Sequence, residues 1–167
     1  MKMTTEEAFV KVLQMHGIEH AFGIIGSAMM PISDLFPQAG ITFWDAAHEC
    51  NAGMMADGYT RATGKMSMMV AQNGPGITNF VTPVKTAYWN HTPLLLVTPQ
   101  AANKTLGQGG FQEVEQMALF EDMVAYQRRS ARPIPYCRDI EPCYSASQAC
   151  VGTSPDQCAT RFLDTGH

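Results

Sequence analysis

From Thr4 the chain places apolar residues at Ala8, Phe9, Val12 and Leu13, three and four positions apart. That spacing predicts an amphipathic helix, opened by a Thr4/Glu7 capping box and ended at Gly17. HAFGII (20–25) is a short apolar run that reads as a buried strand, followed by the loop GSAMMP and a short helix within MPISDLFPQAG. ITFWDA (41–46) reads as the next buried strand, and residues 49–63 as a helix stopped by Gly64. KMSMMVAQ (65–72) is a third strand, and NGPG (73–76) turns into a helix through Trp89. PLLLVTP (93–99) is a continuous apolar run of the kind buried on both faces of a sheet. QAANKTLGQGG is a loop, and FQEVEQMALFEDMVAY returns to helical spacing.

Strands alternating with helices predict an α/β fold: an open parallel sheet with helices on both faces and right-handed crossovers. No internal repeat interrupts the pattern. Ligands of such sheets bind beyond the carboxyl ends of the strands. GSAMM, HEC (48–50) and NGPG are the loops at those ends, so they are expected to be neighbours in space.

Composition divides the chain in two. Hydrophobic residues make up 46% and charged residues 16%, which suits a domain that hides much of its surface. All 12 Met and both Trp precede Arg128. Residues 128–167 hold Cys137, Cys143, Cys150 and Cys158, with five Arg and no Lys. The net charge of −4 gives no reason to expect nucleic acid or a membrane surface as a partner. No apolar run approaches the about 18 residues of a spanning helix, and the acidic amphipathic start is unlike a signal peptide. The expected compartment is the cytoplasm.

Glu49 stands where a strand meets a helix. Its ordinary reading is a first-turn carboxylate stabilised by free amides and the helix dipole. Trp44, Ala46, Ala47, Ala52 and Met54 around it are apolar, however, which predicts partial desolvation and makes it a candidate proton donor. NGPG is either a tight turn or a place where a flat ligand reaches the backbone. There is no GxGxxG or GxxxxGK, so no phosphate cradle is visible. Gln112 in GGFQE reads as a polar residue at a helix start. His48 and His91 read as structural, and Cys50 as a small buried residue.

Together, HECNAGMMADGYTRATGK, NGPGITN and GGFQEVEQM, in this order and at these distances, resemble the pyrimidine-binding domain of thiamine diphosphate enzymes, including the acetolactate synthase group. GSAMMP and TLGQGGFQ are similar to a branch of that family acting on a sulfonated aldehyde. The resemblance covers residues 1–127. It implies that Glu49 is catalytic: it shares a proton with N1′ of the aminopyrimidine and so promotes loss of the proton from C2 of the thiazolium. It also implies that Ile25, Gly26, Ser27, Asn73, Gly74, Pro75, Gly76, Asn79 and Gln112 border the cofactor. The implied reaction turns the sulfonated aldehyde and phosphate into acetyl phosphate and sulfite, in a dimer or tetramer. A carboligase of the acetolactate synthase type and a non-catalytic fragment pairing with intact subunits are the other readings.

Family members continue into a middle domain and a third domain that grips the diphosphate through Mg²⁺. The resemblance therefore implies that these 167 residues hold only the pyrimidine half, with no metal site, weak or no cofactor binding and no turnover alone. From Arg128 to His167 it stops. The tail has no CxxC pair, a poor zinc pattern. Codons permitted for the tail, read one base later, give a continuation similar to the family's own. Residues 128–167 are thus expected to be an out-of-frame, disordered tail.

Overall fold

The structure, a computed structural model, describes residues 4–101, 105–129 and 159–162. Helix α1 (Thr5–Met15) opens as expected: Thr4 Oγ1 accepts from Glu7 N at 3.2 Å, and Glu7 Oε2 accepts from Thr4 N at 2.7 Å. Strand β1 (His20–Gly23) leads to the single turn α2 (Met30–Ser33) and a 3-10 turn (Pro37–Ala39). Then come β2 (Thr42–Asp45), α3 (Glu49–Thr63) and β3 (Ser67–Val70). The predicted helix after NGPG is two pieces, α4 (Pro75–Thr78) and α5 (Val81–Trp89), before β4 (Leu94–Val97).

These four strands pair in parallel in the order β2-β1-β3-β4, an open α/β sheet. Alternate side chains serve opposite faces, as the pleat requires. Ala21, Met68, Val70, Leu95 and Val97 pack under α1 and α2. Phe22, Met69, Leu94 and Leu96 pack with residues of α3 and α5. The chain moves from β1 outward to β2, then crosses to the other side of β1 for β3. The order reverses between β1 and β3, and in open α/β sheets ligands bind beyond the carboxyl ends of the strands at such a switch point.

Three expectations are corrected. The ITFWDA strand is not buried: β2 is the sheet edge, and Thr42, Trp44 and Asp45 are exposed. Trp44 is 46% exposed, with its indole Nε1 donating to His20 Nδ1 at 3.0 Å. The helical spacing of 111–126 yields only a single turn, α6 (Gln116–Leu119). Glu113 accepts from Gly110 N at 2.9 Å and from Gly107 N, holding its segment to the preceding loop. Gln116 is drawn inward to donate to Pro99 O at 2.8 Å.

The third concerns the tail. Strand β5 (Tyr126–Arg129) pairs antiparallel with β6 (Ala159–Phe162), and β6 meets β4 at Leu96. Arg128, Arg129 and 159–162 are therefore strand, where disorder was expected. A free edge of β4 offers backbone donors and acceptors to any extended segment. Residues 130–158, with Cys137, Cys143, Cys150 and Cys158, lie outside the described residues, as do 163–167.

Candidate functional site

Helix α3 starts at Glu49 because His48 is its N-cap: in extended backbone, His48 accepts through Nδ1 from Cys50 N at 3.1 Å. That is the structural role expected of this histidine. His91 is exposed in the turn after α5, at φ 53°. Cys50 is half-buried rather than buried.

Glu49 is half-buried, and its Oε2 accepts from Asn79 Nδ2 at 2.8 Å. Asn79 is the C-cap of α4, so the bond ties the start of α3 to the end of the first turn after NGPG. The other oxygen faces that turn: a Cβ on Gly76 would lie 3.3 Å from Glu49 Oε1. The apolar wall expected around this carboxylate is only partly present. Ala52 is buried and Ala46 half-buried, but Trp44, Ala47 and Met54 are exposed. An edge strand and the outer side of α3 cannot enclose the group from within this chain.

The other end of NGPG meets Gln112. Gly74 has φ 73°, and a Cβ there would lie 2.7 Å from Gln112 Cβ and from its carbonyl oxygen. Asn73 is buried and donates through Nδ2 to Gln112 O at 3.0 Å. Pro75 opens α4 at a position that needs no backbone donor. Gly26, in the loop after β1, packs against the side chain of Gln72. Its neighbours Ile25 and Ser27 are exposed beside it. Gln72 escaped sequence reasoning, although it is the first polar residue after the buried Met68–Ala71 run and directly precedes NGPG.

The loops after β1, β2, β3 and β4 thus contribute side chains to one rim. Among the described residues, no group of three or more His, Cys, Asp or Glu is placed to hold a metal ion. No described helix is long and apolar enough to cross a membrane.

This chain belongs to the thiamine pyrophosphate enzymes: the family profile "Thiamine pyrophosphate enzyme, N-terminal TPP binding domain" matches residues 3–119. It is 85% identical over 133 residues to the sulfoacetaldehyde acetyltransferase of Roseovarius nubinhibens, covering 80% of this chain and 22% of that protein. Over the same length and with the same coverage it is 80% identical to a probable sulfoacetaldehyde acetyltransferase of Rhizobium meliloti. A probable acetolactate synthase large subunit of Methanocaldococcus jannaschii is 34% identical over 131 residues, 78% of this chain and 22% of that protein. The chain spans about a fifth of the length of the curated relatives it matches.

The residues present fit the aminopyrimidine end of thiamine diphosphate. A carboxylate held at one oxygen leaves the other for a ring nitrogen. Gly74 makes room for Gln112 and Gly76 for the Glu49 carboxylate, so the turn holds both side chains close to its backbone.

Proposed function

We propose that these residues form the pyrimidine-binding part of a cytoplasmic, thiamine diphosphate-dependent acyltransferase. The reaction converts sulfoacetaldehyde and phosphate into acetyl phosphate and sulfite, a step in the breakdown of taurine and related sulfonates. The relatives' names favour this reading over a carboligase. The observation that carries it is the Glu49 carboxylate, fixed by Asn79 through Oε2 with Oε1 beside the side-chain-free Gly76.

Bound thiamine diphosphate supplies a nucleophilic carbon that also accepts electrons from the substrate. Glu49 holds or shares a proton at Oε1. Asn79 keeps the carboxylate from rotating away and, by donating to Oε2, leaves Oε1 as the atom to be protonated. Asn73, Gly74, Pro75 and Gly76 shape the floor, and Ile25, Gly26, Ser27 and Gln112 border it. Mg²⁺ and the diphosphate are held by parts of a homo-oligomer beyond these residues. Residues from Arg128 on are out of frame in this reading. The compositional break supports it, and resequencing across the codons for Met123 to Arg132 tests it.

In an intact enzyme carrying this N-terminal sequence, Glu49→Gln should leave the fold unchanged and slow deuterium exchange at C2 of bound thiamine diphosphate by at least about 100-fold. Unaltered exchange would remove Glu49 from this role. Acetolactate in place of sulfite release would move the chain to the carboligases.

A further inference from the structure

Gln72 lies between two loops that have no other reason to agree. A Cβ on Gly26 would lie 2.4 Å from Gln72 Oε1 and 2.6 Å from its Cβ and Cδ, so Gln72 fills the space that Gly26 leaves. Ala28 N donates to Gln72 Oε1 at 3.3 Å, and Gln72 Nε2 donates to Gln112 Oε1 at 3.5 Å. The direction of this chain is not a free choice. A backbone N–H can only donate, so Gln72 must turn its oxygen toward Ala28. Its nitrogen then faces Gln112, and Gln112 must meet it with oxygen.

Gln112 is held in place for this pairing. Its φ of 58° is left-handed backbone, unfavourable for a residue with a side chain. Asn73 grips its carbonyl, and Gly74 makes room for its Cβ. Such a conformation persists where the surroundings over-determine it, and those places cluster at functional sites.

We propose that Gln72 is a positioning residue that sets the polarity of the Gln112 amide. With its oxygen engaged, Gln112 offers its Nε2 hydrogens to the site, and among the described residues no acceptor takes them. One glycine turn then carries a carboxylate acceptor at its Gly76 end and an amide donor at its Gly74 end. Gln112 thereby favours a carbonyl or oxyanion oxygen over a ligand N–H. The inference rests on the proposed function only in treating Gln112 as part of the cofactor and substrate site.

Its test needs no ligand, so it can fail without touching that reading. In ¹⁵N spectra of the 167-residue chain, the Nε2 protons of Gln72 should exchange with water more slowly than those of Gln112. Gln72→Glu keeps an acceptor for Ala28 N but turns a second oxygen toward Gln112, whose amide must then reverse. The Gln112 Nε2 protons should move downfield and exchange several-fold more slowly, with the Ala28 amide unmoved. An unchanged Gln112 pair beside an unmoved Ala28 amide overturns the proposal. Should Gln72→Glu fail to fold, Gln112→Glu and Gln112→Ala decide it. The first keeps an acceptor and should preserve the slow Gln72 signal, and the second should lose it. The same response in both overturns the proposal.

Discussion

The two faces of the sheet are built by different means. Under α1 and α2 the core is bulk: Phe9, Leu13, Met29, Ile32 and Phe36 pack on the strands. Under α3 the contact residues are small, Ala52, Gly53 and Ala56, and they sit beside polar groups. Thr60 and Ser67 share a hydrogen bond of 2.8 Å, Ser67 also donates to Ala56 O at 3.1 Å, and Asp57 is 4% exposed. A layer held off by large side chains tolerates small movements. A layer seated on glycine and alanine brings its backbone close to its neighbours, and α3 carries Glu49 at its first position. The site is placed by the face that has least room to adjust.

The difference can be broken from either side. The largest effect is expected from Leu13→Ala, which empties a fully buried position under α1 and should cost about 3 kcal/mol in denaturant unfolding at unchanged m. A cost below about 1 kcal/mol would mean that this layer is looser than its burial implies. Next comes a pair within α3. A Cβ on Gly53 would lie 2.4 Å from Pro83, whereas one on Gly58 meets nothing within 4 Å. Gly53→Ala should destabilise by about 2 kcal/mol, and Gly58→Ala should stabilise by about 0.7 kcal/mol, because glycine is costly inside a helix. Equal responses would show that α3 is not seated on Gly53.

The smallest effect concerns Glu19 and Lys65, an exposed pair 2.8 Å apart that belongs to neither layer. The hydrogen bond from Lys65, then its charge, lowers the Glu19 pKa, and the same contacts raise that of Lys65. The stability from Glu19 is present above the unfolded carboxyl value of about 4 and lost as pH falls through the lower folded value. That from Lys65 is present below about 10.4 and lost as pH rises through the higher folded value. Lys65→Met should therefore lower Tm slightly at neutral pH and low salt. The difference should vanish in acid and shrink in high salt. A difference that persists in acid would assign it to packing of the lysine stem.

Much of this fold was legible in the chain. The Thr4/Glu7 box, the limits of α3 at Glu49 and Gly64, and the four parallel strands all rest on local signals of capping, period and punctuation. Trp44 was misplaced because an apolar run says that a segment is a strand and not whether the strand is central or at an edge. The 111–126 segment has helical spacing, but Glu113 and Gln116 take tertiary partners that a repeating helix would not present to them. Of the site, Glu49, Asn79 and the NGPG turn were marked and are brought together. Gln72 was not, since its role depends on Ala28 and Gln112, 44 and 40 positions away.

The strand order also has a history in time. β1 is paired on one side by β2 and on the other by β3, and β4 adds outside β3. Each new parallel strand joins an edge completed before it, so the sheet can grow while the chain leaves the ribosome, N-terminus first. No hairpin among these four strands has to wait for a later partner. The segment carrying Gln112 emerges after β4, and so after Glu49, Asn79 and Gln72. The rim is closed last, by a segment that also seats Phe120 in the core beside α3 and α5.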